Sequence, residues 1–245
     1  MNNLLIDIGN SDIKVGIGCS DNLNVQLIKR FPYSKKNFRK DFEKKFKINK
    51  IPSFDKIGIS LLEKGEKIFI SEYFKKAMTK EAVFIDRKIK MPIKIDYSKG
   101  LGNDRICNAA AVYKIFKQSN ILIIDFGTAT TYTLVSDGTL RGGLISPGIR
   151  TSLDSLTDKT SLPEAKLNYP KELINNNTLD NIRAGVLYQS LFSVERIIKE
   201  VRKRHKSLYV IATGGNSQLI SKKTILINEI DENLVLKGIN ILISP

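Results

Sequence analysis

A chain of 245 residues, 42% hydrophobic and 27% charged, can bury a sizeable core without disulfides or structural metal. Two cysteines, Cys19 and Cys107, and one histidine, His205, exclude a disulfide framework, a Cys-rich zinc site, a His-based metal centre and a Ser-His-Asp triad. The 40 Lys+Arg against 25 Asp+Glu leave a net charge of +15, which by itself invites a nucleic-acid reading, and no apolar run approaches the ~20 residues that span a bilayer. Any chemistry therefore runs on carboxylates, hydroxyls, backbone amides and Lys/Arg. With no signal peptide, the two thiols are expected to be reduced and the chain cytoplasmic.

The first element is an apolar strand from Leu4 that reaches Asp7-x-Gly9-Asn10-Ser11 and returns as a second strand to Gly18. Residues 29–50 then hold ten Lys/Arg around Phe31, Tyr33, Phe38, Phe42 and Phe46. Three of these Phe fall at i, i+4, i+8 and predict a helix over 35–47 that buries them, which favours core packing over base stacking. Strand-like runs at Lys56–Ser60 and Ala82–Ile85 alternate with helical stretches, and Asp104–Lys117 reads as a helix carrying Ile106, Ala109, Ala110, Tyr113 and Phe116.

Residues 121–135 repeat the opening pattern: Asp125 aligns with Asp7 and Gly127 with Gly9, at an offset of 118. Two copies this far apart predict duplicated domains and not a solenoid. The Gly/Pro-rich segment Arg141–Gly148 reads as a fixed loop with unusual backbone angles. Thr178 is expected to cap a long amphipathic helix with Ile182, Val186, Leu191, Val194, Ile198 and Val201 inward. Leu208–Thr213 is a further strand, ended by Gly214-Gly215, and Leu234–Leu242 a final short helix. The expectation is an α/β fold of two duplicated domains, 1–117 and 118–245, facing a shared cleft.

Four constellations could carry chemistry. A Gly at the end of a strand lets backbone amides approach a phosphate, with Asn10 and Ser11 in one hairpin and Thr128, Thr130 and Thr131 in the other as neutral donors. Asp7 and Asp125 could each hold a cation that offsets phosphate charge. Gly102-Asn103-Asp104-Arg105 places an acid that could accept a substrate proton beside a guanidinium that could bind a carboxylate or phosphate. Thr213-Gly214-Gly215 offers bare backbone to a flat ligand. Neither Gly-x-Gly-x-x-Gly nor a P-loop occurs.

In order, Asp7-x-Gly-Asn-Ser, Gly-x-Asp104-Arg105, Asp125-x-Gly-Thr-Ala-Thr-Thr, Gly142-Gly-x-Ile-x-Pro-Gly148, Ser161-Leu-Pro163, Thr178…Gly185 and Thr213-Gly-Gly215 resemble the type III pantothenate kinases. The resemblance spans nearly the whole chain. It implies two ribonuclease-H-like domains of the actin, hexokinase and Hsp70 superfamily. It further implies ATP-dependent phosphorylation of pantothenate to its 4'-phosphate, the first step toward coenzyme A, with Mg2+ accompanying ATP, a monovalent cation (K+ or NH4+), a homodimer and no membrane.

Carried onto this sequence, the family's proton acceptor is Asp104, and the pantothenate site is lined by Tyr97, Gly102, Asn103, Asp104, Arg105 and Thr178. The ATP positions are Asp7, Gly9, Asn10, Ser11, Lys14, Thr128, Thr130, Thr131, Gly214 and Gly215. Asp125 matches the monovalent-cation ligand, and Asp7 is the residue nearest a Mg2+ role. The sequence departs from the family pattern in three places. Ser11 replaces a Thr, the segment Tyr97-Ser-Lys-Gly-Leu is short and lacks the usual proline, and Gln189 stands where a small residue is common. Two other readings stay open on the residues: a nucleic-acid-associated accessory factor on the same fold, and a kinase for another small alcohol.

Overall fold

The computed structural model describes residues 1–61, 64–78 and 81–244. The strands are β1 (Asn2–Ile8), β2 (Asp12–Cys19), β3 (Val25–Pro32), β4 (Lys56–Leu61), β5 (Ala82–Phe84), β6 (Lys94–Ile95), β7 (Asn120–Phe126), β8 (Ala129–Ser136), β9 (Thr139–Pro147), β10 (Tyr209–Thr213) and β11 (Glu229–Ile230). The helices are α1 (Phe38–Lys45), α2 (Lys67–Met78), α3 (Asn103–Ile115), α4 (Ile149–Lys159), α5 (Thr178–Arg204), α6 (Ser217–Ser221) and α7 (Leu234–Ile243). They fall into two units, Met1–Lys117 with Asn233–Pro245, and Gln118–Glu232.

The first unit's sheet runs β3-β2-β1-β4-β5, and the second unit's strands run β9-β8-β7-β10-β11 in the same pattern. In each, two antiparallel pairings (β1–β2, β2–β3; β7–β8, β8–β9) are followed by two parallel ones (β1–β4, β4–β5; β7–β10, β10–β11). The duplication expected from the two Asp-x-Gly segments is thus a duplication of a whole five-strand topology.

Strand β1 is buried along six of its seven residues because helices cover both of its faces. Leu4, Ile6 and Ile8 face a core with Phe38, Phe42, Phe46, Ile59 and Phe74, while Leu5 faces Ile106, Cys107, Ala110, Leu236 and Ile239. Helix α1 is shorter than the 35–47 expected, since Lys35–Asn37 form a 3-10 turn and Phe46 is extended at the C-cap. All three Phe are nonetheless buried: Phe42 stacks on Phe46 at 4.9 Å and meets Tyr73 edge-on at 5.2 Å. The helix's aromatic rings lie in the core, Lys40 and Lys44 face water, and Lys45 donates to Pro32 O at 2.6 Å.

Three expectations are revised. The final helix belongs to the first unit, so the second ends at Glu232 and not at 245. The physical reason is that α7 packs backbone to backbone on α3: a Cβ on Gly238 would lie 2.0 Å from the Cys107 carbonyl oxygen. Its other side meets β4, where a Cβ on Gly58 would lie 2.6 Å from Ile239. A buried Asn3 Nδ2 also donates to Asn240 Oδ1 at 2.8 Å.

Next, Arg141–Gly148 is not a loop; residues through Pro147 form β9, paired with β8. The ladder slips between Leu134 and Val135, leaving Arg141 as the extra residue, and Gly142 beside it takes φ +144. Last, Asn177 caps α5, its Oδ1 accepting from Asp180 N–H at 2.9 Å, and Thr178 is the first helical residue. The inward face of α5 is otherwise as read, with Ile182, Val186, Leu191, Val194 and Ile198 buried and Val201 packed against them. Helix α3 begins one residue early and ends at Ile115, leaving Tyr113 exposed.

Candidate functional site

In the first unit, Asp7 lies near the end of β1, paired with Lys14 on β2 and Ser60 on β4. It is buried, while Asn10 and Ser11 are exposed at the hairpin tip. The turn closes through the Gly9 N–H donating to Asp12 O at 3.0 Å. Asp12 in turn is held by the Arg30 guanidinium. Tyr33, one residue beyond β3, donates its backbone N–H to Ser11 O at 3.3 Å and its hydroxyl to Gly9 O at 2.5 Å.

Helix α3 opens at Gly102, its N-cap, and Asn103 Nδ2 ties the first turn to β4 by donating to Leu61 O at 2.9 Å. Asp104 therefore sits in the first turn of a helix anchored to the same sheet as the hairpin. Burial pushes its carboxyl above the ordinary aspartate value, and the Arg105 backbone N–H at 2.8 Å and the Arg105 charge partly offset this. Arg105 is itself buried, with its guanidinium 5.0 Å over the Tyr97 ring and Nη1 donating to the Tyr97 hydroxyl at 3.2 Å. Arg87 fixes that tyrosine's backbone by donating to Tyr97 O at 2.6 Å and Ser98 O at 2.8 Å.

One turn along α3, Cys107 is fully buried beside Ser60. Burial first, then the charges of Asp7 and Asp104, drive its thiol well above the ordinary range. A neutral thiol thus lies within electrostatic reach of both carboxylates, and the first unit gathers Asp7, Lys14, Asp104 and Arg105 around the ends of β1, β4 and α3.

The second unit repeats the hairpin with one residue fewer in its turn. Ile8 pairs with Ile13 in the first copy, whereas Phe126 pairs with Thr130 in the second. Asp7 and Asp125 still correspond, but their facing residues are Lys14 and Thr131, at an offset of 117 and not 118. Thr128 is exposed at the tip and Thr131 is half-buried, but Thr130 is only 5% exposed, so its side chain is not offered to solvent. Gly148 N–H donates to Thr128 O at 3.0 Å and Thr151 Oγ1 to the same oxygen at 2.6 Å.

The paired glycines at the end of β10 divide their roles. Gly214 is buried at φ +88, and a Cβ there would lie 2.4 Å from Asp125 Oδ1. Gly215 is exposed and presents bare backbone. Around Asp125 the ladder neighbours are Thr131 and Thr213, and Thr213 Oγ1 is buried without a hydrogen bond. An all-oxygen set of this kind fits a hard cation. Among the described residues no group of three His, Cys, Asp or Glu could hold a metal ion, so a divalent ion would need oxygens from elsewhere, such as a nucleotide's phosphates.

Thr178 is exposed and lines a groove of about 380 Å³ along α5 with Leu156, Leu162, Ile182, Gly185 and Gln189. A neighbouring groove of about 310 Å³ is lined by Leu173, Ile174, Tyr188 and Phe192, and Ile174 is 86% exposed. Tyr33, Arg87 and Thr151 are the contributors that sequence reasoning missed. The one signal available was positional: Tyr33 and Gly148 each follow a strand-ending proline, Pro32 and Pro147.

The family model for type III pantothenate kinase matches residues 3–200. A type III pantothenate kinase of Fusobacterium nucleatum is 32% identical over 251 residues, covering 96% of this chain and 95% of the relative. The chain belongs to the type III pantothenate kinase family. Another member, from Petrotoga mobilis, is 35% identical over 187 residues, 74% of this chain and 73% of that one. Membership makes the protein a phosphotransferase of coenzyme A biosynthesis. Its fold is the duplicated α/β arrangement of the actin-like ATPases. A solved structure of a Baf family protein from Campylobacter jejuni overlays it with a TM-score of 0.63 at 21% identity, over 98% of this chain and 96% of that one. Among the described residues no helix is long and apolar enough to cross a membrane.

Proposed function

We propose that the kinase moves the γ-phosphoryl group of ATP to the primary hydroxyl of pantothenate, with Asp104 accepting the hydroxyl proton. The observation that carries this is the placement of Asp104, anchored through Asn103 to β4 and held above the ordinary aspartate value by burial, in the same unit as the Asp7–Ser11 hairpin. Phosphoryl transfer through a loose transition state needs alignment and charge neutralisation more than a strong base, so a carboxylate that takes the proton late suffices. Arg105, planar and pre-stacked on Tyr97, supplies a fork for the pantothenate carboxylate. Gly102 and Asn103 shape that pocket; Thr178 is the pantothenate contact that the family resemblance implies, exposed at the start of α5.

For the nucleotide, the exposed tip of the first hairpin (Gly9, Asn10, Ser11) faces the phosphates, with Lys14 as their counter-charge. Thr128, Thr131 and the exposed Gly215 are the contacts of the second unit. Thr130 and Gly214 act by shaping the backbone, as their burial requires. Mg2+ enters on ATP near Asp7, and K+ or NH4+ is held at Asp125 with Thr131 and Thr213. Both ions supply charge neutralisation. The exposed Leu173, Ile174 and Phe192 along α5 support a homodimer, and two free thiols support a cytoplasmic location.

The test is an ADP-release assay with pantothenate against other small alcohols, with and without potassium. Pantothenate-dependent turnover that requires potassium is expected. Preference for another alcohol overturns the substrate, and full turnover in Asp104→Asn overturns the base.

A further inference from the structure

We infer that Tyr33 is a positioning residue that sets the direction of the first hairpin's backbone toward the phosphates of ATP; this rests on the reading of that hairpin as a nucleotide site. One residue bonds two carbonyls of one turn, the Ser11 oxygen through its N–H and the Gly9 oxygen through its hydroxyl. The described peptide bonds are all trans, and in a trans peptide the C=O and the next N–H point in opposite directions. Drawing the Gly9 carbonyl toward Tyr33 therefore turns the Asn10 N–H to the far side, at the exposed tip of the hairpin. The phenol is held for this by the edge of Phe38, 5.1 Å away, whose ring is itself buried.

The second unit repeats the backbone half of this brace. Pro147 corresponds to Pro32 by ladder position, facing Ala129 as Pro32 faces Asp12. The next residue, Gly148, donates its N–H to Thr128 as Tyr33 does to Ser11. There the side-chain bond differs: Thr151 Oγ1 donates to that same Thr128 oxygen, the counterpart of the Ser11 oxygen, so both bonds converge on one carbonyl, and a Cβ on Gly148 would lie 2.3 Å from Gly127 O. The N–H bond is thus common to both copies, and the hold on a second carbonyl, Gly9 O, is what Tyr33 adds in the first.

The variant is Tyr33→Phe, which keeps the ring and its packing and removes only the hydroxyl. Losing one hydrogen bond to the turn should raise the KM for ATP and weaken binding of a fluorescent ATP analogue about three- to tenfold. The KM for pantothenate should stay within about twofold, and amide exchange at Asn10 and Ser11 should quicken. Equal ATP parameters in Tyr33→Phe and wild type overturn the inference. So does a parallel rise in both KM values with a fall in Tm, which would mark a purely structural role. If wild type binds the analogue but does not phosphorylate pantothenate, the proposed substrate fails while the analogue and exchange measurements still decide on Tyr33.

Discussion

The two units share a strand order and differ in how each holds its anion-facing turn. The first uses side chains: the Tyr33 hydroxyl on Gly9, Asn103 on Leu61, the Tyr97 ring under Arg105. The second uses close backbone approach, with Gly148 against Gly127 and Gly214 against Asp125 and Phe126. Duplicated topology thus preserves the place of a turn and leaves each copy free to solve its bracing separately. Among the described residues, the first unit adds a half-buried acid with a raised pKa at a helix start, so the comparison predicts chemistry in one copy and rigidity in the other.

The largest expected effect comes from α7, which makes the first unit discontinuous and leaves the second continuous. Deleting residues 233–245 removes the buried Leu234, Val235, Leu236, Ile239, Leu242 and Ile243. At about 1.5–3 kcal/mol each, the loss is about 9–18 kcal/mol, as large as the whole stability of a domain. The truncated chain should lose the first unit's protection in hydrogen exchange and keep that of 118–232. Uniform loss in both would show that the units do not fold separately.

Asp104→Asn follows. Turnover should fall by about 10²–10⁴ with nucleotide binding little changed. Stability should move the other way. A carboxyl whose folded pKa lies above its unfolded value contributes stability fully present below the unfolded pKa. That stability is lost as pH rises through the folded one. Above its folded pKa the ionised, half-buried Asp104 is therefore a cost, and there the Asn variant should melt at a higher temperature than wild type. For the same reason, the acid limb of the kcat profile should lie above the ordinary aspartate range. A destabilised Asn variant would show that Arg105 outweighs burial.

The glycines break the comparison most directly. A Cβ on Gly148 would lie 2.3 Å from one backbone oxygen and 2.5 Å from another, so Gly148→Ala should cost about 2–3 kcal/mol, seen as a lower midpoint in urea. A Cβ on Gly9 meets nothing closer than 3.4 Å, so Gly9→Ala should cost less than about 1 kcal/mol. Equal costs would remove the distinction between the two bracing modes.

Much of this was legible in the chain. The Asp-x-Gly spacing gave the duplication, and the i, i+4, i+8 phenylalanines gave their own burial, because both signals are local. Features that depend on pairing were not legible. The shorter second turn shows only in register, which is why Lys14 and Thr131 emerge as counterparts. The apolar run of α7 announces burial without naming a partner 130 residues upstream. Asn177 and Thr178 are both competent caps, and only the backbone chooses. At Arg141–Gly148 the glycines and proline suggested a loop, although Gly142 alone takes an unusual angle and Pro147 sits at the strand's end. In the candidate site, residue types were legible, but Tyr33 and Arg87 act across 24 and 10 residues of sequence, with no motif to mark them.

The smallest effect tests whether the first unit's reliance on side chains extends to substrate. Tyr97 holds Arg105 in two ways, by the ring face at 5.0 Å and by a hydroxyl accepting at 3.2 Å. Phenylalanine keeps the first and loses the second, so Tyr97→Phe should raise the KM for pantothenate no more than about threefold, the 3.2 Å bond being long. Alanine loses both, and a buried guanidinium stripped of its ring should give about a tenfold rise. The KM for ATP should stay constant in both, since Arg87 bonds the backbone at residues 97 and 98 and holds the segment whatever the side chain. A pantothenate KM that ignores Tyr97→Ala would mean that Arg105 is positioned by its burial alone. The first unit would then hold its guanidinium as the second holds its glycines, by fit and not by a directed contact.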